Sequence, residues 1–536
     1  MKHTLSRATD ALQRRAPRFL RREDGTITVF GTMIFVLMVG IGGIAVDIMR
    51  YETQRVQLQS TLDRAVLAAA SLTQTMDPED VVHNYFEVAG LEDYRLRVEV
   101  IDGLNFRRVN AIAEMETQSI FMSMFGVRVL TSPAAGAAEE RIQNVEISMV
   151  LDISGSMGNQ NRMENMRPAA RDFVSTVLEA NEDSELGNLV SISIVPYNGR
   201  VNAGDTIESV FNLASFQTES SCVRFRESEF SQTAISPNSP LDRLAHWDRG
   251  NQNNNRSFVS PHCQTDNYGA ILPWEHRETV LHEHINSLGT QGWTAIDLGM
   301  KWAVGLLDPA ARPAVNALVE NGQVHPDFED RPADYTASDT LKVVVLMTDG
   351  ANTNQYDLRD EFKYGNSVVF YHEADDRYSV YWQDRPGEQD YWIPSGNPSD
   401  GSGSWSTSPY GGNAAEALTW AELFAARTEE NIAQTFFRAP AQSSGQWGLY
   451  NRMRSASRQY AGRTQGDANL RAICDAVRIH RDFVVFAIAF EAPQGGQDVM
   501  RHCATTPGHY YDVQGLDIAD AFASIARTIN QLRLVQ

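Results

Sequence analysis

Cysteine is scarce in this chain: four among 536 residues, Cys222, Cys263, Cys474 and Cys503, with no C-x-x-C. That excludes the paired-cysteine zinc sites and thioredoxin-type redox motifs. In an oxidising compartment the simplest pairing of an even set is by neighbourhood, 222 with 263 and 474 with 503. Zinc is the rival reading, because His262, His276, His282 and His284 crowd near Cys263. The "HEH" at 282–284 sets its histidines two apart, however, and on a helix such positions do not face one site. A phosphate-cradling G-x-x-x-x-G-K-[ST] loop is also missing, which excludes the common nucleotide site. Positive charge is short as well: 46 Lys and Arg stand against 68 Asp and Glu, a formal net of −22. An acidic body of this kind repels phosphate and excludes nucleic acid as a partner.

The acidity is unevenly placed. Residues 1–24 carry seven Lys and Arg and only three acids, a net of +4, so the remainder sums to −26. Immediately after this basic head comes "GTITVFGTMIFVLMVGIGGIAV", Gly25–Val46, without a charge. Its 22 residues make about 33 Å of helix, enough to cross a hydrocarbon core. The apolar run exceeds a signal-peptide core and no A-x-A-like site follows it, so an uncleaved anchor is expected. The positive-inside rule places residues 1–24 in the cytoplasm and the acidic body outside.

From Asp47 to Met76 the chain has no Gly or Pro, and Tyr51, Leu58, Leu62, Ala65, Ala69 and Leu72 fall on a 3–4 spacing. The periodicity predicts a continuing helix, either a plain stalk or a seam that packs on other helices in an assembly. Asp77 as N-cap and Pro78 in the first turn start another helix, which stops at Gly90. "YRLRVEV", "RVNAIAEMET" and "VRVLTS" read as strands with a short helix between the last two, so residues 47–140 combine a helical stalk with a small α+β unit. "PAAGAAEE", 133–140, reads as a junction.

From 141 to 536 the elements alternate. Strands are expected at 145–151, 189–197, 341–347, 483–490 and 509–513. Helices are expected at 162–180, 273–287, 294–307, 468–480 and 517–534. Continuous apolar strands between helices imply a sheet buried on both faces: an α/β, doubly wound, mostly parallel fold. Two segments break the alternation, about 198–274 and 351–467. The second is dense in aromatics (Tyr371, Tyr378, Tyr381, Trp382, Tyr391, Trp392, Trp405, Tyr410), with a helical stretch near 414–437. Those rings could hold a sugar or a protein, but Tyr and Trp bury large area and more often form the private core of an insertion.

Ligands of such sheets bind at the carboxyl ends of the strands. There the first strand runs into "LDISGSMGNQ", placing Asp152, Ser154 and Ser156 on alternate positions, with Gly155 and Gly158 to turn the loop. The strand "VVVLM" ends in "TDG", placing Asp349 at the same edge, and "GTQGWTAID" brings Thr294 to the start of a helix. Two carboxylates and three hydroxyls are hard oxygen donors, which select Mg²⁺, with Mn²⁺ or Ca²⁺ as alternatives, over zinc or copper. Two acids cancel a divalent charge and no more, leaving the ion able to accept an anionic oxygen from a partner. Ser156 is not in G-x-S-x-G and has no histidine beside it, so hydrolytic chemistry is not expected. In a purely structural role the serines would cap the helix at 162–180.

"MVLDISGSM", "GWTAIDLGM" and "VVVLMTDGANT" resemble the three parts of the metal-ion-dependent adhesion site of von Willebrand factor type A domains. The resemblance implies direct or water-mediated coordination by Asp152, Ser154, Ser156, Thr294 and Asp349, an acidic partner residue completing the shell. The segment "DGTITVFGTMIFVLMVGIGGIAVDIMRYETQRVQLQSTLDRAVLAAAS" is similar to the anchor of TadG-like proteins of the tight-adherence (Flp) pilus machinery. So are "GAILPWEHRETVLHEHINSLGTQGWTAIDLGMKWAVGLLDP", the surroundings of Cys474 and Cys503, and "AFASIARTINQLRLV". That family implies a single-pass component of a Gram-negative inner membrane, its body periplasmic, working with other pilus-assembly proteins and not as an enzyme. No prepilin-type G-x-x-x-x-E precedes the apolar run, so processing as a pilin is not expected. The alternative function is a surface adhesin that uses the metal face and the aromatic insertion on an external ligand.

Overall fold

The computed structural model describes residues 25–71, 74, 76–142 except 103–105, and 144–535 except 183–188, 251–257, 265, 338, 384, 386–388, 397–399 and 481–482. The basic head at 1–24 and Leu72 lie outside the described residues. The chain divides into two compact units, Met1–Ile142 with Gln536, and Gln143–Val535.

In the first unit, α1 (Thr26–Ala69) runs unbroken for 44 residues, about 66 Å of helix. Its first half is long and apolar enough to cross a membrane. Asp77 caps α2 (Pro78–Val88) through the Glu79 amide. β1 (Tyr94–Asp102), β2 (Phe106–Gln118) and β3 (Val129–Ile142) follow, β2 pairing antiparallel with both others. The helical seam neither stands free nor waits for other helices. Leu58, Leu62, Ala65, Val66 and Ala69 form the core of this unit with Val82, Phe86, Val109, Ala111, Ala113, Met115 and Ala134. The expected junction at 133–140 is strand, part of β3. Its small residues are there for packing: a Cβ on Gly136 would lie 3.3–3.6 Å from Asp63, Val66 and Leu62 of α1.

The second unit begins with β4 (Asn144–Asp152), α3 (Arg162–Glu182) and β5 (Val190–Tyr197). Residues 273–287 are not one helix: β6 (Leu272–Glu275) precedes α4 (Glu278–Ser287). Pro273 lacks an N–H and suits this edge strand, and the Trp274 ring is pinned where its Nε1 donates to the Leu306 carbonyl at 3.0 Å. Then come α5 (Ile296–Leu307), α6 (Arg312–Glu320) and β7 (Thr340–Thr348). The long insertion holds β8 (Gln355–Leu358), β9 (Asn366–His372), β10 (Arg377–Tyr381), β11 (Tyr391–Pro394), β12 (Gly403–Ser406), β13 (Glu416–Thr419) and β14 (Ser457–Ala461). The chain closes with α7 (Arg463–Arg478), β15 (Phe483–Phe490), α8 (Gln494–Cys503), β16 (Tyr510–Val513) and α9 (Asp517–Arg533).

The main sheet has the order β16-β15-β7-β4-β5-β6, all parallel except the edge strand β6. Alternate strand residues serve two cores. Ile147, Met149 and Leu151 pack with α3, α4 and α9, whereas Val150, Val195, Leu346 and Val485 pack with α5, α7 and α8. The insertion builds its own sheet, order β12-β11-β10-β9-β13, over a core containing Trp382, Trp392, Trp420, Phe424, Phe436 and Phe437. The helical stretch expected near 414–437 is interrupted: β13 is followed by helices Trp420–Ala426 and Glu429–Ile432 and a π turn, Ala433–Phe437. The first insertion joins the same core through Ala245 and Trp247. Lys363 ties the two, its Nζ 3.0 Å from Asp242 and 2.9 Å from Asp357. Disulfides join Cys222 to Cys263 and Cys474 to Cys503.

Candidate metal site

Parallel register brings the carboxyl ends of β4, β5 and β7 to one edge, with Asp152 opposite Tyr197 and Val150 opposite Leu346. Three loops meet there. The Gly155 amide donates to the Gly292 carbonyl at 3.1 Å, and the Gln291 amide to Ile153 at 3.0 Å. The Thr353 amide reaches the Thr294 carbonyl at 2.8 Å. A Cβ on Gly350 would sit 3.2 Å from Thr294 Oγ1, so the threonine hydroxyl lies against the residue following Asp349.

The hydroxyls of Ser154 and Ser156 are 3.1 Å apart, and Ser156 Oγ donates to Asp349 Oδ1 at 2.7 Å. Asp152 is fully buried. Its Oδ1 accepts the Ser154 amide at 2.8 Å, and its Oδ2 accepts Thr348 Oγ1 at 2.7 Å and the Tyr197 hydroxyl at 3.2 Å. Burial and the neighbouring charge of Asp349 push the Asp152 carboxyl up to about 6. Two acids held this close in a dry pocket repel, and a cation between them relieves that repulsion. The structure thus brings Asp152, Ser154, Ser156 and Asp349 into one hydrogen-bonded cluster, with Thr294 beside it. The serines are not caps of α3, which begins six residues after Ser156.

Three participants were not anticipated. Arg162 Nη1 donates to Asp349 Oδ2 at 2.8 Å and its Nε to Glu491 Oε2 at 2.9 Å. Burial lowers the guanidinium pKa, but these two carboxylates more than offset it and hold it above the ordinary value. Glu491 could have been found from sequence, since it follows the apolar strand "FVVFAIAF" as Asp349 follows "VVVLM". Its backbone is left-handed, φ 53°, which aims the carboxylate at Arg162 and the Gly515 amide. Trp293, more than half exposed beside Thr294, stands edge-on to Tyr356 with ring centres 6.0 Å apart. Those two rings and Arg200, Arg249, Arg454 and Asp248 line a cleft of about 380 Å³ next to the site. Arg200 is buried there against the His262 ring, and burial lowers it to about 10. Of the histidines weighed for zinc, His262 stacks on Trp247, His276 faces His325, and His282 lies against Ser175. Among the described residues no group of three or more His, Cys, Asp or Glu is placed to hold a metal.

Comparison with known proteins places the first unit. Residues 25–72 match the model of a family described as putative Flp pilus-assembly TadE/G-like. The matched stretch contains all of α1, both the apolar half and the half that carries the core seam. No curated protein matches the chain. Solved structures similar to it include the vWF domain of the type V pili tip protein Mfa5 from Porphyromonas gingivalis. That match has 12% identity and a TM-score of 0.32, and covers 74% of this chain and 97% of that one. The adhesive tip pilin GBS104 from Group B Streptococcus agalactiae is 12% identical with a TM-score of 0.30, covering 72% and 100%. The pilus adhesin RrgA from Streptococcus pneumoniae is 10% identical with a TM-score of 0.27, covering 82% of this chain and 49% of that one.

Proposed function

We propose that this protein is a membrane-anchored, non-catalytic component of Flp pilus assembly whose second unit is a doubly wound von Willebrand factor A-type domain carrying a metal-ion-dependent adhesion site. Asp152, Ser154, Ser156, Thr294 and Asp349 hold a divalent cation, Mg²⁺ by the hardness of the donors. The bound ion supplies a positive centre that accepts the carboxylate of a partner protein. The observation that carries this reading is the Ser156–Asp349 hydrogen bond of 2.7 Å, which joins two stretches 193 residues apart at one sheet edge. The protein's own groups prepare the site. Tyr197 and Thr348 fix the Asp152 carboxylate, and Gln355 and Asn469 clamp the buried Asp297 at the head of α5, which sets the loop bearing Thr294. The arginines of the adjoining cleft add attraction for an acidic segment. The anchor reading places α1 across the inner membrane with the acidic units in the periplasm.

The adhesin alternative has less support. Of the eight aromatic residues that an outward rim would need, Trp382 and Trp392 are in the insertion core and the other six are half-buried, with Tyr378 and Trp405 packed against that core. Titration calorimetry of the detergent-solubilised full chain with MgCl₂ tests the site. Saturable heat is expected from the native protein and none from Asp152→Ala or Asp349→Ala; equal heats from all three reject it.

A further inference from the structure

The first unit carries an apolar loop that packs down the membrane helix. Between β2 and β3 the chain folds into a short turn, Met122–Phe125, flanked by exposed Ile120 and Val127, with Met124 82% and Phe125 66% exposed. In a water-facing loop such a cluster is costly, and this one is contiguous with α1. A Cβ on Gly43 would overlap the Phe121 ring at 2.5 Å, and one on Gly40 would lie 3.9 Å from the tip of Phe125. The two glycines thus form a groove in α1 that admits the loop. Gly40 is six residues inside the end of the uncharged run at Val46, about 9 Å along the helix axis. Interfacial elements bury their apolar face to about 5–10 Å.

The backbone of the loop is prepared for low dielectric. Asp47, the first charge after the run, is 1% exposed and accepts the amides of Ile120, Phe121 and Met122 at 3.1, 2.7 and 2.8 Å. The amides of Ser119, Met124, Gly126 and Val127 are taken by carbonyls within the loop. Backbone groups that enter lipid must be paired internally, and a loop facing water has no such need. Exposed Arg50 on α1 and Arg128 at the neck of the loop flank the cluster. There their guanidinium groups can reach lipid phosphates.

We propose that residues 120–127 are a second membrane-inserting element, seated in the outer-leaflet acyl region beside α1 and fixed there by Asp47. The occupant of the exposed apolar face is lipid. The inference rests on the anchor reading of α1, and its test separates the two. All four native cysteines are in disulfides, so single cysteines introduced as Phe125→Cys, Leu37→Cys and Val88→Cys can each take an environment-sensitive nitrobenzoxadiazole label. Leu37 reports on the middle of the apolar helix, and Val88, 90% exposed, on the far end of α2. The full chain is reconstituted in vesicles of phosphatidylethanolamine and phosphatidylglycerol carrying nitroxide on the acyl chain. The labels at 37 and 125 are expected to be blue-shifted and strongly quenched, and the label at 88 to resemble free dye in buffer. Quenching at 37 but not at 125 overturns the loop proposal and leaves the anchor intact, including the case where 125 is blue-shifted by another protein chain. Quenching at neither overturns the anchor itself.

Discussion

Arg162 occupies a place at the candidate metal site that charge counting from the motif overlooks. Its guanidinium lies against Asp349 and Glu491 with 14% of its side chain exposed, so solvent screens it only partly. A positive group on a ligand carboxylate competes with a cation for the same charge. Arg162→Gln is therefore expected to tighten Mg²⁺ binding severalfold, about 1 kcal/mol for a partly screened charge. Glu491→Gln would act in the opposite sense, by releasing Arg162 onto Asp349 alone. Calorimetric Mg²⁺ affinities of the two variants beside the native chain check both signs. The candidate ligands were legible because each acid or hydroxyl follows an apolar strand or opens a helix. Arg162 was not, since its role depends on a bond to a residue 187 positions away.

At the scale of elements, site geometry depends on how closely α8 approaches the loop after β7. A Cβ on Gly496 would lie 2.0 Å from the Gly350 carbonyl oxygen. Gly496→Ala must therefore push the loop bearing Asp349, or the start of α8, out of place. Overpacking of this kind costs about 1–3 kcal/mol. The variant is expected to melt lower and to bind Mg²⁺ more weakly, whereas an alanine at exposed Gly508, whose Cβ would meet only Thr506 Oγ1 at an ordinary 3.7 Å, should do neither. Paired melting and calorimetry check the contrast. The strands most fully legible beforehand, β4, β5, β7 and β15, are buried along nearly their whole length. Hydrophobicity alone marks such strands. The misread elements were β3, whose alanines and glycine look like linker until α1 lies on them, and β6, whose Pro–Trp pair was absorbed into the following helix. In both, the deciding contact comes from an element remote in sequence.

Across the whole molecule, two units with separate cores should unfold separately. A cation bound only by the second unit shifts only that unit's transition, by about 2.7 kcal/mol at a hundredfold excess over Kd. Calorimetric scans in detergent with Mg²⁺ and with chelator are expected to show one cation-sensitive and one cation-insensitive step. A shift of both would tie the units into one folding reaction. The sequence by itself determined the long apolar helix, the alternation of buried strands with helices, the cysteine partners and the five candidate ligands. All of these rest on local hydrophobicity, spacing or nearness along the chain. Tertiary structure alone decided that the stalk seam is a core, that the two insertions share one, that Arg162 and Glu491 join the candidate site, and that Asp47 holds a loop against α1. Each of these is a pairing of groups far apart in the chain, and only the folded sheet and helix packing determine which distant residues become neighbours.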